Sequence, residues 1–518
     1  MDKKWWTLIA ACTATFMLLL DVTIVAVALP DIQAELGASF SQLQWTADIY
    51  ALALAALLLT SGSLADRFGR RLVFVIGLVL FTAASLLCGV AQEPIMLIVS
   101  RGLQGVGGAM LFATSLALLA STFHGKERGI AFGVWGAVAG VATALGPVLG
   151  GALTTGISWR AVFWVNVPIG VFGVVLTLLR VGESKAPHAR RIDVPGMVAF
   201  TVGLGSLVFG LTEAGEKSWS DPLVIASFVA AAVLMVAFVL IEMRTAEPMF
   251  DLSLLRVPTF LGGSVAAFAM NGSLFSMLVY LVIYLQNGLG YSAMETGLRL
   301  LVMSACSMVV ATVAGRASSH VPVRWLIGPG LFLVGVGLMV MAGLDAQSSW
   351  THLIPGLIVA GIGSGLVNPP LASTAVGVVP VRQSGMASGA NTTFRQVGIA
   401  VGIAVYGTLF SARIKSSMVD ALSGTPFAGR AEALAGAISS GGLGRVMQTL
   451  PSGGRATVGG AARIAMADSM NTLLIVSGAV ALVGAVLSAV LIRQQDFVDT
   501  TPQPEKVVPP EHEPVAAS

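Results

Sequence analysis

Charge is what this chain most lacks. Asp, Glu, Lys and Arg make up 11% of its 518 residues and hydrophobic residues 55%, whereas soluble domains carry about 25% charged residues. So little charge argues against a water-soluble fold and leaves the bilayer as the solvent. The net charge of +3 supplies no basic field for a nucleic-acid partner. Cysteine is nearly absent as well. Cys12, Cys88 and Cys306 lie far apart, each inside an apolar run and without CxxC spacing, which speaks against a disulfide framework or a metal site and for small buried side chains. The five histidines, His124, His188, His320, His352 and His512, are scattered over loops, segment ends and the tail. A membrane-embedded enzyme would therefore have no metal or acid–base cluster to work with. No Walker A loop is present, which argues against ATP as the energy source. No stretch reads as a folded soluble domain, which a non-transporting membrane sensor would need.

In place of these features stand long apolar runs. Crossing about 30 Å of hydrocarbon takes roughly 20 apolar residues. Such runs fall near 5–29, 44–64, 72–91, 95–120, 131–154, 161–180, 194–212, 222–242, 259–286, 294–315, 323–343, 352–376, 389–411 and 470–492. Fourteen spans are expected, all helical because lipid-exposed backbone must satisfy its own hydrogen bonds. The first run follows Lys3 and Lys4 and superficially resembles a signal peptide. It is long enough to span and has no small-x-small cleavage site before Pro30, so it reads as a retained first span. Basic residues set the orientation. The even-numbered connections hold Arg67, Arg70 and Arg71; Lys126 and Arg128; Arg180, Lys185, Arg190 and Arg191; Arg244 and Arg256; Arg316 and Arg324; then Arg382. The short odd ones hold little beyond Arg160 and Lys217, with Asp31, Glu35 and Glu93 tilting them acidic. Both termini are therefore expected in the cytoplasm.

The 60 glycines also repeat. A slide of 256 residues places Gly105, Gly107, Gly129, Gly133, Gly146 and Gly151 on Gly361, Gly363, Gly385, Gly389, Gly402 and Gly407, and Ala142 on Gly398. A slide of 253 brings Gly62 and Arg71 onto Gly315 and Arg324. An offset that passes an even number of spans keeps the direction of the chain, as in two halves related by an axis along the membrane normal. The expected organisation is a six-helix bundle over 1–185, an inserted two-helix hairpin with its linkers over 186–250, and a second six-helix bundle over 251–493. A long outer loop over 412–469, with a short surface helix near 428–440, and a Pro-rich, polar, disordered cytoplasmic tail over 494–518 complete it.

Four stretches together resemble the major facilitator superfamily: "GSLADRFGRRL" after the second span, "RGLQGVGGA" in the fourth, "LGPVLGGAL" in the fifth and "LLDVTIVAVALP" in the first. Fourteen spans and "WRAVFWVNVPIG" narrow the resemblance to the drug:proton antiporter branch with fourteen helices, which includes quaternary-ammonium and multidrug efflux proteins. The resemblance implies the major facilitator fold and alternating access. It also implies export of drug-like or amphipathic compounds driven by the proton gradient, with no cofactor. An exporter dedicated to an endogenous lipid, siderophore or antibiotic is the rival reading. The expected setting is the plasma membrane, with lipids, protons and a small-molecule substrate as partners and a monomer as the working unit.

The same motifs nominate residues. Gly62, Asp66, Arg67, Gly69, Arg70 and Arg71 form the turn after the second span. Gly69 permits a tight turn, Asp66 lies near the positive amino end of the third span and the arginines hold the loop inside. By resemblance the turn latches the two bundles; the alternative is a plain charged loop. In the fifth span Ala142, Gly146 and Gly150 recur every four residues beside Pro147 and Gly151, with Gly136 and Gly140 one face over, a spacing that lets helices approach closely. Resemblance makes this the antiporter motif that seals one side; small-residue packing alone is the alternative.

Charges inside hydrocarbon cost at least about 2.5–3.5 kcal/mol on insertion scales. At about 1.5 Å per residue, Asp21 lies roughly 13 Å below Pro30 and Arg101 roughly 10 Å below Pro94, so the two are at depths where they can meet. Resemblance makes them the proton-coupling acid and arginine; a static pair is the alternative. Asp48, only about 5 Å inside Trp45, matches a substrate-binding Asp of the quaternary-ammonium exporters, with aromatic Trp45 and Tyr50 beside it; the alternative is a solvated helix end. Asn271 is the possible counterpart of Asp21 in the second half. Arg395 and Gln396 belong either to the central cavity or to its entrance. Glu213, Glu295, Arg299 and Asp345 read as residues of span boundaries. Trp159, Arg160, Asn166 and Pro168 are carried by the resemblance as family markers only; Asn166 and Pro168 read as residues that can break a helix start, with no separate mechanism.

Overall fold

The computed structural model describes residues 2–123, 125–184, 193–318, 321–379, 384–439 and 452–497. Among them no strand occurs. The helices are α1 Lys3–Leu36, α2 Phe40–Phe68, α3 Arg70–Gly89, α4 Pro94–Thr122, α5 Gly125–Gly156, α6 Ala161–Trp164, α7 Asn166–Arg180, α8 Val194–Glu216 and α9 Pro222–Arg244. They continue as α10 Pro258–Met270, α11 Ser276–Ile283, α12 Ala293–Ala317, α13 Arg324–Val340, α14 Ile354–Gly377, α15 Ser384–Leu422, α16 Ala431–Ser439 and α17 Ser452–Leu491. Among the described residues thirteen helical segments are long and apolar enough to cross a membrane; α13, of 17 residues, is a shorter apolar helix compatible with a fourteenth crossing. Two of the segments are not uniform rods. Pro168 lacks the N–H that would bond the carbonyl of Trp164, and the sixth segment is broken there into α6 and α7. Single π-turns at Asn271–Phe275 and Tyr284–Gly288 flank α11 in the ninth.

Helix ends depart from the apolar runs wherever a cap or a partner extends them. Ser39 and Gln42 form a capping box that starts α2 at Phe40, and α1 continues through Pro30 to a left-handed Gly37 at its C-cap. The largest correction concerns the expected loop over 412–469. There α15 runs on to Leu422 and α17 begins at Ser452, because Ile414, Met418 and Leu422 join one buried cluster with Val458, Ala462 and Met466. The short helix expected near 428–440 is α16. The tail from 498, the linker residues Lys185, His188, Arg190 and Arg191, and Arg382 lie outside the described residues.

Helices α1 to α7 pack mainly on one another, as do α10 to α17, while α8 and α9 pair and lean through α8 on α15 and α2. The chain's two ends share one face: Lys4 on α1 pairs with Glu127 on α5, and beyond α17 Arg493 N–H and Asp496 bond Thr259 at the start of α10. We call this the terminal face. On the opposite face the halves are in direct contact. The Met294 N–H donates to Thr155 Oγ1 at 3.0 Å, and Gln286 Nε2 donates to the Val27 carbonyl at 2.8 Å. Gln44 Nε2 donates to Tyr280 Oη at 3.2 Å and to the Ile403 carbonyl at 3.3 Å.

Candidate functional site

The glycines of "RGLQGVGGA" bring α4 against its neighbours. A Cβ at Gly105 would lie 2.6 Å from the Tyr50 carbonyl oxygen on α2, and one at Gly107 would lie 2.7 Å from the Phe81 nitrogen on α3. This close approach places Arg101, fully surrounded by protein, beside Asp21 on α1. Arg101 Nη1 donates to Asp21 Oδ2 at 2.5 Å and to Gln104 Oε1 at 2.6 Å; its Nε donates to the Thr46 carbonyl at 3.2 Å. Gln104 Nε2 donates to Asp21 Oδ1 at 2.9 Å and to Ser85 Oγ at 2.8 Å. Asn166 Nδ2, at the first position of α7, donates to the same Asp21 Oδ1 at 2.9 Å. The Tyr50 ring packs under the guanidinium, 4.4 Å from its centre. A carboxylate that accepts from three side chains is held by more than an ion pair. Gln104 is the member that sequence reasoning missed, although it follows Arg101 by three residues and so shares its helix face; Asn166, named there only as a family marker, gains its partner here.

Arg101 also forms part of the wall of a central cavity between the halves. The other polar lining groups are Thr23, Tyr50 and Gln396; Pro147, Phe275, Val279 and Ile403 are among the apolar ones. Among the described residues Arg101 is the one charged group in the lining. Gln396 thus belongs to the cavity, while Arg395 turns to Asn391 and Asn368 at 3.5 and 3.4 Å.

The shallow position expected for Asp48 is corrected. Because the Ser39 cap starts α2 early, Asp48 lies about 12 Å along the helix. It is 0% exposed and neither carboxylate oxygen has a hydrogen-bond partner, so it is not a solvated helix end, and it does not line the cavity. Nor do its expected companions cluster with it: Trp45 packs toward Phe209 on α8 at 6.3 Å, and Tyr50 faces Arg101. Asn271 opens the first π-turn, where its amide donates to the Ala267 carbonyl of its own helix at 2.8 Å.

In the fifth span, Ala142 is buried and Gly150 lies against α1, where a Cβ would sit 2.7 Å from the Ile24 carbonyl oxygen. A Cβ at Gly151 would lie 2.5 Å from the Ala293 carbonyl oxygen on α12. Gly146 meets Thr23, and the Pro147 carbonyl abuts Gly297. The motif therefore forms the α1–α5–α12 crossing on the face opposite the termini. Gly136 and Gly140, expected to pack one face over, meet nothing within 4 Å. Nearer the terminal face that side of α5 is open, while Trp135 on another side donates to Thr15 Oγ1 on α1 at 2.7 Å.

The turn after α2 is tied down within its own half. Arg70 Nη2 donates to Asp66 Oδ1 at 2.9 Å, and the Arg70 N–H donates to the Ser184 carbonyl at 2.9 Å. The carboxylate at the amino end of α3 is not Asp66 but Glu183, which accepts from the Arg71 and Leu72 N–H groups at 3.0 and 3.2 Å. Arg71 Nη2 reaches the Leu178 carbonyl at 2.7 Å. Gly69, at φ 121°, has its Cβ direction filled by the Glu183 carboxyl, while Gly62 meets nothing within 4 Å and Arg67 lies 5.7 Å from the Phe68 ring centre. Elsewhere the family markers gain a role: Glu35 at the end of α1 accepts from Trp159 Nε1 at 2.8 Å and pairs with Arg160, which also donates to the Ala91 carbonyl. Glu213 pairs with Lys217 at the end of α8, Glu295 closes the capping box of α12 and Asp345 accepts within its own loop. Arg299 packs on Tyr291, 3.6 Å from the ring centre.

Membrane-length helices in two packed groups, with one closed face and a buried ion pair on the wall of a cavity between them, define a membrane transporter. The chain belongs to the Major Facilitator Superfamily, whose model matches residues 11–403. It is 36% identical over 413 residues to the multidrug resistance protein Stp of Mycobacterium tuberculosis (strain CDC 1551 / Oshkosh), covering 80% of this chain and 77% of that one. It is 34% identical over 497 residues to the tetracenomycin C resistance and export protein of Streptomyces glaucescens, covering 94% and 91%. Its fold is similar to that of a bacterial homolog to the human lysosomal transporter Spinster in an inward-facing and occupied conformation, with a TM-score of 0.63, 16% identity and coverage of 95% and 98%.

Proposed function

We propose that the protein is a proton-driven exporter of amphipathic, drug-like compounds that works by alternating access between its two halves. The observation that carries this reading is the Asp21–Arg101 pair, buried behind the wall of an otherwise uncharged central cavity. Proton uptake by Asp21 would release Arg101 from its counter-ion, which changes the polarity of the one charged position facing a bound substrate. Proton binding and substrate binding are then linked through one side chain, as antiport requires. The apolar lining suits substrates with large hydrophobic surfaces. The terminal face is taken as cytoplasmic because the short loops there carry the basic residues, which makes the closed face the outer one. The plasma membrane is the proposed setting, with no cofactor and a single chain as the working unit.

Relatives described as a tetracenomycin C export protein and as a probable actinorhodin transporter of Streptomyces coelicolor support a second reading, in which one endogenous antibiotic is the substrate. Purified protein in liposomes with an imposed pH gradient tests both. Uncoupler-sensitive movement of several unrelated compounds supports the broad reading, and movement of one compound class alone supports the dedicated one. Movement that ignores the gradient would refute proton drive.

A further inference from the structure

The network around Asp21 leaves one amide half used. Asn166 is 0% exposed; its Nδ2 donates to Asp21 Oδ1 at 2.9 Å, and its own Oδ1 is buried with no partner. Gln104 is engaged at both ends, with Oε1 accepting from Arg101 and Nε2 donating to Asp21 and Ser85. An unmet buried acceptor is costly, yet here it sits on the amide that touches the carboxylate. A half-turn about its last bond exchanges an asparagine's donor for its acceptor.

We infer that Asn166 is a positioning residue for the proton step, a two-state amide that donates to ionised Asp21 and, turned by half a revolution, accepts from the protonated acid. The inference rests on Asp21 as the proton carrier. A proton arriving from water forms the O–H bond on Asp21 Oδ1 and later returns to water on the other side; no other bond changes and nothing is oxidised. On protonation that oxygen becomes a donor, and the idle Asn166 Oδ1 is the group placed to receive it. The other ionisable or charged groups facing this point are Arg101 from α4, Tyr50 from α2 and Cys88 from α3, the last with its sulfur 3.9 Å from Gln104 Oε1. Among all these groups Asn166 alone combines a bond to Asp21 Oδ1 with an idle acceptor: the guanidinium only donates, the Gln104 acceptor is taken by Arg101, and Tyr50 Oη, though also without a partner, makes no bond to Asp21. The break at Val165, enforced by Pro168, puts Asn166 at the head of α7, where its side chain reaches across to α1.

In liposomes, Asn166→Leu, of similar size but unable to donate or accept, is expected to keep substrate counterflow, which needs no net change in protonation. It should shift the midpoint of the pH profile of gradient-driven efflux upward by about one unit, since a bond to an ionised group is worth more than one to a neutral group. A wild-type profile in the folded variant overturns the inference. So does a parallel loss of counterflow and efflux at an unchanged midpoint, the mark of packing alone. Should the variant not fold, infrared difference spectra of the wild-type protein carrying 13C-asparagine decide. A side-chain amide band that moves between acid and alkaline pH, and is still in Asp21→Asn, is expected; its absence from the wild type overturns the inference. Retained coupled efflux in Asp21→Asn would instead remove the carrier reading beneath it.

Discussion

Replacing Asp48 with leucine should hold the protein in the conformation described here. The two carboxylate oxygens are buried without a hydrogen-bond partner on α2, the helix that meets α15 across the closed face through Gln44. Leaving a buried polar group unsatisfied costs about 1–3 kcal/mol, and more if it is charged. A leucine of similar size removes that penalty from the closed form, whereas an opened, wetted face would have solvated the carboxyl and gains nothing from its loss. At 1.36 kcal/mol per decade, the balance between closed and open forms should move roughly 5- to 150-fold toward closed. Ala47 lines the cavity, so a cysteine there, in a chain cleared of Cys12, Cys88 and Cys306, can be labelled from the face opposite the termini only while that face is open. Asp48→Leu should slow labelling by a membrane-impermeant maleimide from that side. An unchanged or faster rate would mean that Asp48 has a partner in the closed state, and would refute the reasoning.

The same assay should respond in the opposite sense to Gly151→Val, because a Cβ there would lie 2.5 Å from the Ala293 carbonyl oxygen; overpacking of about 1–3 kcal/mol should speed labelling at 47, and a slower rate would count against the α5–α12 contact as the seal. Glu183→Ala removes the carboxylate that accepts from the first N–H groups of α3; a loss of about 0.5–2 kcal/mol should appear as a lower melting temperature in detergent, and an unchanged value would show that water replaces the cap.

How much of this was legible beforehand follows from what a bilayer penalises. Long apolar runs and the ionisable residues within them stand out in any sequence because hydrocarbon makes their alternatives costly, and Asp21 and Arg101 do meet. Neutral amides carry no such mark. Gln104 and Asn166 were invisible as ligands because an amide inside a span is common, and only the approach of α1, α4 and α7 shows which carboxylate it serves. Helix ends failed for a related reason. A capping serine at 39 shifted Asp48 from the mouth to the interior, and the extensions of α15 and α17 depend on each other's buried faces rather than on either segment's own hydropathy. Glu183 could not be matched to the turn it caps, since that contact crosses 112 residues.

The central claim is that Asp21 carries the proton which drives export. Purified protein in weakly buffered solution, given a transported compound, should release protons in near-stoichiometric amount, and Asp21→Asn, folded and still able to bind the compound, should release none. Proton release from Asp21→Asn equal to that of the wild-type protein would contradict the account.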